Sequence, residues 1–213
     1  MPSHLVLASR SPRRKRLLRI LGIPFQVEIA DIDEGRLEKE SPPEFVDRLS
    51  AMKAGEIARR RDDVIVIGAD TIVVLGEQIL EKPTTTENAR EMLRSLRSRT
   101  HTVLTGVTVC GSARGSGENI HRGFVEKTLV TFGDISDDQI DSYIASGSPF
   151  DKAGGYGIQD DRGALFVERI DGDFYNVMGL PIFRLNQLLR SEFASLFASL
   201  HRSGISHGSE LIR

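Results

Sequence analysis

Short apolar segments rich in β-branched residues alternate along this chain with helices that carry their own start signals. Val64–Leu75 is the longest apolar segment, and Gly68 and Asp70 divide it into two predicted strands, at 64–68 and 71–75. Ser41 and Ser136 are each followed three residues later by Glu or Gln, the pattern of a capping box at a helix start. Strands interleaved with helices are typical of proteins in which helices cover a sheet. The pattern therefore predicts an α/β fold around one sheet, in one or two lobes.

The composition is that of an ordinary globular protein. The 213 residues include 28 Lys and Arg against 30 Asp and Glu, a net charge of −2, which argues against a general nucleic-acid or acidic-membrane binder. The longest apolar segment is far shorter than the roughly 20 residues that cross a bilayer. Cys110 is the single cysteine, so an internal disulfide is excluded. We expect a cytoplasmic protein without a membrane segment, with one domain over residues 1–202 and a flexible tail at 203–213.

Asp70 is a carboxylate inside the apolar segment. Burial of its charge costs several kcal/mol unless a cation or hydrogen-bond donors compensate it, so it needs a partner. One interpretation is a strand-end aspartate that caps a turn after Gly68. The other is a rigid carboxylate that acts as a metal ligand or general base, with Gly68 allowing a ligand to approach closely.

Lys53 is a charge on an otherwise apolar helix face. It shares that face with Val46, Leu49 and Ile57, since these positions are three or four residues apart. The lysine either extends past the helix into solvent or belongs to a site. Other isolated charges in the chain favour the second interpretation.

The segment SRSPRR around Arg13 and Arg14 predicts an anion pocket. Ser9 or Ser11 can cap a helix whose first turn carries both arginines, so backbone N–H groups and two guanidinium groups converge there. Arginines at a helix start oppose the helix dipole, so a bound anion explains them better than a structural role does.

Further charges fall where predicted elements end, which is where sites are commonly built. If they converge with Arg13, Arg14 and Lys53, the cations suit a polyphosphate and the carboxylates Glu34 and Asp70 could hold Mg²⁺, with Asp70 as the base for attack by water. The chain has no Walker, GxSxG or strand-linked GxGxxG motif, which argues against P-loop ATPases, α/β-hydrolases and dinucleotide enzymes. These additional charges are Glu34, Lys82, Asp151 and Lys152.

A series of segments in this order closely resembles the Maf family of nucleotide pyrophosphatases, from about Leu5 to Leu189. The segments are LASRSPRRKRLLRILGIPF, IDE, RLSAMKAG, IGADTIVVLGEQILEKP, THTVLTGV, DKAGGYGIQ and NVMGLPI. The resemblance implies an elongated mixed sheet with flanking helices, two lobes around a central cleft, and similarity to inosine triphosphate pyrophosphatase. It also implies a divalent metal cation (Mg²⁺ or Mn²⁺), a homodimer, and hydrolysis of a nucleoside triphosphate to its monophosphate and pyrophosphate.

The resemblance also assigns roles to individual residues. It places the catalytic carboxylate at Asp70 and the metal at Glu34 and Asp70. Phosphate- and metal-handling positions fall on Ser9, Arg14, Glu34, Lys53, Lys82, Asp151 and Lys152. Arg13, Thr71 and Gln159 resemble the dTTP/UTP branch rather than the 7-methyl-GTP branch, and the amide of Gln159 suits the edge of uracil or thymine. The glycine-rich residues 111–123 and the tail after Arg202 depart from the family pattern.

The sequence therefore predicts a dTTP/UTP pyrophosphatase that could also act on modified pyrimidine nucleotides. Two other functional classes remain: a nucleotide-binding regulator of cell division that acts through a partner, and an RNA-binding module at residues 10–19. A regulator would not need Asp70 as an aligned base, and the net charge argues against RNA binding. The 7-methyl-GTP branch of the same family is a further alternative.

Overall fold

The computed structural model describes residues 4–61, 64–112, 119–160 and 162–194. Within these ranges the strands are β1 His4–Ala8, β2 Gln26–Glu28, β3 Val64–Leu75, β4 Gln78–Leu80, β5 Thr100–Ser112, β6 Asn119–Phe132 and β7 Val167–Asp171. The α-helices are α1 Pro12–Leu18, α2 Pro42–Ala58, α3 Thr86–Leu96, α4 Asp137–Ala145, α5 Phe174–Met178 and α6 Ile182–Glu192.

The strands form one mixed sheet in the order β2-β1-β3-β5-β6-β7, with β4 paired to β3. β1 runs parallel to both β2 and β3, whereas β4 runs antiparallel to β3 and β7 antiparallel to β6. The sheet is open and flanked by helices. The predicted α/β class is therefore confirmed.

The described chain forms two compact units. The first contains the described residues up to Asp70, those of Gly106–Val125 and those from Gly179 onward. The second contains Thr71–Thr105 and the described part of Glu126–Met178. The boundary falls inside β3, between Asp70 and Thr71, so these consecutive residues belong to different units.

In the first unit, α2 lies directly against the parallel strands. β1 and β3 pair in register from His4 with Val64 to Ala8 with Gly68. The apolar side chains of both strands are buried. A Cβ at Gly68 would overlap the carbonyl oxygen of Ser50 and the amide of Ala54 in α2. The absence of a side chain at position 68 therefore allows the helix backbone to contact β3.

In the second unit, three buried rings pack against one another. His101, Phe132 and Tyr156 pack edge to face, with ring centroids 4.8 to 5.3 Å apart. The Nε2 of His101 lies 2.7 Å from the Tyr156 hydroxyl. Burial lowers the pKa of His101 to about 4, because the charged imidazolium would lose its hydration. His101 is therefore neutral in the folded protein near pH 7.

The structure agrees with the helix starts and corrects one strand. Both predicted capping boxes form, with Ser41 at the start of α2 and Ser136 at the start of α4. β3 is one continuous strand through Gly68 and Asp70, not two segments. The two-segment prediction was wrong because β3 is paired with β1 on one side and β5 on the other, and because Lys53 of α2 compensates the charge of Asp70.

Some predictions concern parts of the chain beyond the described ranges. The tail at 203–213 lies outside them, and so do residues 113–118 of the glycine-rich stretch at 111–123. Among the helices that the structure describes, none combines the length and the hydrophobicity needed to cross a membrane.

Candidate active site

Asp70, Lys53 and Glu34 form a cluster of charges in the first unit. The Nζ of Lys53 donates to Asp70 Oδ1 at 2.7 Å and lies 3.1 Å from Glu34 Oε1. The Lys53 and Asp70 side chains are 11% and 12% exposed, whereas Glu34 is 60% exposed. One ammonium group therefore serves two carboxylates, one nearly buried and one open to solvent.

This cluster excludes one interpretation of each charged residue and leaves its functional role as a prediction. Asp70 lies in the interior of β3, so it is not a strand-end aspartate that caps a turn. Lys53 turns toward Asp70 and Glu34 and does not extend past the helix into solvent. The suggestion that Gly68 admits a ligand is corrected, because the space beside it is filled by the backbone of α2. Gly68 brings α2 close enough for Lys53 to reach Asp70.

Arg14 joins the first turn of α1 to the residue before Asp70. Its guanidinium donates to the carbonyl oxygens of Ala69 at 2.9 Å and Gly179 at 2.8 Å, and to the hydroxyl of Ser9 at 3.4 Å. Burial lowers the pKa of Arg14, a shift that the charges of Asp70 and Glu34 oppose. The guanidinium of Arg14 thus holds the main chain beside Asp70. The predicted anion pocket did not include this role.

The remaining predicted residues at this end of the chain are on or before α1. Ser11 is the N-cap of α1 and accepts from the Arg14 amide at 3.4 Å. Ser9 is buried, and its hydroxyl accepts from the Ser11 amide at 3.2 Å. Arg13 is partly exposed, and its charge contributes to the lowered pKa of Arg14. Of the two serines predicted as caps, Ser11 therefore caps the helix and Ser9 holds the backbone of Ser11.

An ion pair between partly exposed Arg48 and buried Glu40, which sequence reasoning missed, holds the loop that carries Glu34. Arg48 donates from Nε to Glu40 Oε1 at 2.6 Å and from Nη2 to Glu40 Oε2 at 2.8 Å. It also donates to the carbonyl oxygen of Gly35 at 2.9 Å. These bonds lower the pKa of the Glu40 carboxyl. Arg48 begins the RLSAMKAG segment, which was the available signal for this tether.

In the second unit, Lys152 is buried among oxygen atoms. Its Nζ donates to Asp151 Oδ1 at 2.6 Å and to the Ser148 carbonyl at 2.6 Å, and it lies 3.2 Å from Asp160 Oδ2. Asp151 itself is exposed. The structure therefore pairs the two predicted residues of the DKAGG segment and adds Asp160, which sequence reasoning did not single out.

The glycines of the DKAGG segment have a structural role. Gly154 has a φ of 70°, a conformation that favours glycine, and a Cβ there would meet the side chain of Val73 at 2.8 Å. The Gly154 amide donates to the carbonyl oxygen of Glu81 at 3.2 Å, within the same unit.

The other predicted residues of the second unit are Thr71, Lys82 and Gln159. The Thr71 hydroxyl lies 3.0 Å from that of Thr105, which donates to the carbonyl oxygen of Asn176 at 3.1 Å. Gln159 donates from Nε2 to Asp160 Oδ1 at 2.9 Å. Lys82 is exposed just after β4. The structure thus groups Gln159 with Lys152 through Asp160.

Glu34 and Asp70 are the two residues of the first unit that are predicted to hold a divalent cation. Glu34 and Asp70 each place a carboxylate oxygen within hydrogen-bond distance of the same cationic group. Among the described residues, no group of three or more His, Cys, Asp or Glu side chains could hold a metal ion. Mg²⁺ commonly takes only one or two protein carboxylates and completes its octahedron with substrate oxygens and water.

Comparison with known proteins identifies relatives over most of the chain. The family model for Maf-like proteins matches residues 4–192. A protein of Salinibacter ruber named dTTP/UTP pyrophosphatase is 45% identical over 192 residues, which cover 90% of this chain and 92% of that protein. A protein of Bacillus cereus with the same name is 43% identical over 186 residues, 87% of this chain and 94% of that protein. The resemblance seen in the sequence motifs is confirmed, and the chain belongs to the family of Maf-like proteins.

Proposed function

We propose that this protein is a nucleoside triphosphate pyrophosphatase that hydrolyses dTTP and UTP to the monophosphate and pyrophosphate. Relatives with that name align with about nine-tenths of the chain. The observation that carries the proposal within the structure is Asp70, a nearly buried carboxylate held by Lys53 at 2.7 Å. A carboxylate in fixed surroundings can accept a proton from water at a defined position.

In this proposal water attacks the α-phosphorus and Asp70 accepts its proton. The new bond joins the water oxygen to the α-phosphorus, and the bond from that phosphorus to the α,β-bridging oxygen breaks. Pyrophosphate leaves with the electron pair of the broken bond. Lys53 offsets negative charge near the reacting group, and Arg14 holds the main chain next to Asp70.

Glu34 and Asp70 would hold the divalent cation. When bound, the metal neutralises phosphate charge and polarises a phosphoryl oxygen. The Glu40 and Arg48 pair supports this role, because Arg48 donates to Gly35, the residue next to Glu34. Equilibrium binding of Mn²⁺, measured by its paramagnetic effect on water relaxation, tests the assignment. Binding that is unchanged in the Glu34→Gln variant would contradict it.

The remaining assigned residues are proposed to bind the nucleotide. Gln159 reads the pyrimidine edge, with Arg13 and Thr71 as further determinants of base preference. Four residues are proposed to bind phosphate or support its binding: Ser9, Lys82, Asp151 and Lys152. The donor and acceptor of the Gln159 amide match the acceptor O4 and the donor N3–H of uracil and thymine.

We further propose a cytoplasmic homodimer. Apolar side chains are exposed at and beside β2, the last strand at its end of the sheet, with Val27 41% and Ile29 50% exposed. Such a surface suits contact with a second copy of the chain. The thiol of Cys110 is buried and free, consistent with a reducing compartment. Sedimentation equilibrium and cell fractionation test these two points.

A panel of nucleoside triphosphates tests the proposed reaction. Purified protein is incubated with Mg²⁺ or Mn²⁺ and each triphosphate in turn, and pyrophosphate and orthophosphate are measured separately. We expect pyrophosphate and the monophosphate from dTTP and UTP. Orthophosphate together with the nucleoside diphosphate would contradict the proposal. Tight dTTP binding without any product would instead favour the regulator of cell division.

A further inference from the structure

Asp160 determines which way the amide of Gln159 faces. Gln159 Nε2 donates to Asp160 Oδ1 at 2.9 Å. A carboxylate has oxygen acceptors only, so the NH₂ group of the glutamine must face it. This contact fixes the positions of the glutamine's oxygen and nitrogen atoms, which an unrestrained amide could exchange by a half turn.

Asp160 is itself held in place by several groups. Its Oδ2 accepts from the Tyr143 hydroxyl at 3.0 Å and the Ser148 hydroxyl at 2.6 Å, and it lies 3.2 Å from Lys152 Nζ. These contacts to Oδ2 leave Oδ1 for Gln159. The Asp160 backbone is held as well, because its amide donates to the Gly157 carbonyl at 3.1 Å.

The surroundings of Asp160 leave it little freedom to move. Tyr143 is 1% exposed, and its hydroxyl also accepts from the Gly157 amide at 3.0 Å. A Cβ at Gly157 would overlap the Asp160 carboxylate. The Asp160 carboxylate is therefore held in one position, and its hydrogen bond restricts the orientation of the Gln159 amide.

The orientation of the amide matters because uracil and cytosine present opposite patterns. Uracil and thymine offer an acceptor at O4 and a donor at N3–H, whereas cytosine offers an amino donor at N4 and an acceptor at N3. With one N–H bound to Asp160, Gln159 keeps its oxygen and its second N–H for the base. A fixed amide can match only one of the two patterns, but a free amide could turn to match either.

We infer that Asp160 is a positioning residue for base selection, which orients the Gln159 amide so that UTP and dTTP are accepted and CTP is rejected. This inference rests on the proposed function and names how that function excludes cytosine. Rejection arises because the wrong base would leave polar groups of the site unpaired, an effect that can exceed the gain from any single added contact.

The test compares UTP with CTP in the Asp160→Asn variant. Asparagine keeps the shape of the side chain but can either donate to or accept from Gln159, so the amide becomes free to turn. We expect the ratio of kcat/KM for UTP over CTP to fall about tenfold or more. Asp134→Asn is the control, since it makes the same change at an exposed position of the same unit. The control should leave the ratio unchanged.

A second background separates positioning from a general structural role. Asp160 also contacts Lys152, so its loss could raise KM for both nucleotides, but that effect cancels in the ratio. In a Gln159→Ala background, Asp160→Asn should no longer change the ratio. An equal loss for UTP and CTP, or the same change of ratio in the Gln159→Ala background, would overturn the inference.

Binding measurements keep this inference distinguishable from the proposed reaction. Calorimetry with the α,β-imido analogues of UTP and CTP reports base selection without turnover. If no nucleotide yields pyrophosphate but the wild-type protein prefers the UTP analogue and Asp160→Asn abolishes that preference, the proposed function fails and the positioning role stands. If pyrophosphate is released but Asp160→Asn leaves the preference intact, the positioning role fails alone.

Discussion

Replacement of Lys53 by methionine removes the cation that Asp70 and Glu34 share, while it keeps an unbranched side chain on α2. The lysine lies 2.7 Å from Asp70, and both side chains are nearly buried. Removal of one partner of a fully buried pair costs about 3–5 kcal/mol. Because both groups retain some contact with water and Arg14 remains near Asp70, we expect a loss of about 2 kcal/mol in the free energy of unfolding. A domain of ordinary stability stays folded after such a loss.

Urea denaturation measures this loss, and a double-mutant cycle isolates its cause. In the Asp70→Asn background Lys53→Met should cost much less, so the coupling energy between the two sites is about 2 kcal/mol. The same single variant should raise KM for dTTP and lower turnover, because it removes a cation beside the reacting group. Lys15→Met, at an exposed position of α1, is the matched control and should change neither quantity.

Two results would refute this reasoning. The first is an equal loss of stability with and without the Asp70 carboxylate, which would mean that Lys53 contributes through packing alone. The second is a large loss of stability with unchanged kinetics, which would make the pair a structural feature only. Either outcome would mean that the contact between Lys53 and Asp70 does not have the role in the reaction that is proposed for it.

Further variants test the assigned roles. Asp70→Asn should keep most of the triphosphate affinity but lower turnover roughly 10²-fold to 10⁴-fold in steady-state assays, and near-normal turnover would remove it from the reaction. Gln159→Ala should lower kcat/KM for dTTP and UTP about tenfold or more, and the combination with Arg13→Trp should lower it further. Both variants should reduce the difference in kcat/KM between these substrates and 7-methyl-GTP. Equal losses on all nucleotides would contradict base selection. The pKa of His101 is about 4 in the folded protein and 6.5 in the unfolded chain. Between pH 6.5 and pH 4 the unfolded chain therefore binds more protons than the folded protein does. The free energy of unfolding should fall by about 3 kcal/mol as the pH drops through this range. In the double variant His101→Phe and Tyr156→Phe, the free energy of unfolding measured with urea should depend less on pH between pH 7 and pH 4. An unchanged pH dependence would show that His101 is not its cause.

The sequence was sufficient to predict those features that depend on local chemistry. The capping boxes at Ser41 and Ser136 are local patterns, and both form helix starts. The α/β class follows from the alternation of strands and helices, and it is confirmed. Lys53 and Asp70 were recognised because each placed a charge among apolar neighbours, and such a charge requires a partner. Local rules were thus informative where a residue violated them.

Contacts that only the folded chain brings together could not be predicted in the same way. Nothing near Gly68 indicates that α2 lies against it, so its role was taken for ligand access. β3 continues through Asp70 between two paired strands, β1 and β5, and a lysine 17 residues away compensates the carboxylate. The Glu40 and Arg48 pair consists of two ordinary charges that only the fold brings together.

Asp160 illustrates the same limit within a single segment. Its position next to Gln159 was visible in the sequence, but a lone aspartate in a loop is usually a solvated charge. Its importance depends on Tyr143 and Ser148, which come from α4 and the turn that follows. Only the folded arrangement shows that the carboxylate is fixed and that the glutamine amide faces it.

Hydrolysis in water enriched in oxygen-18 tests the central claim most directly. The protein is incubated with dTTP and Mg²⁺ in labelled water, and the products are analysed by mass spectrometry and phosphorus NMR. Attack of water on the α-phosphorus predicts one labelled oxygen in the monophosphate and none in the pyrophosphate. Label in the pyrophosphate would show attack on the β-phosphorus, and label in orthophosphate would show attack on the γ-phosphorus. Either of the latter results would contradict the proposed reaction.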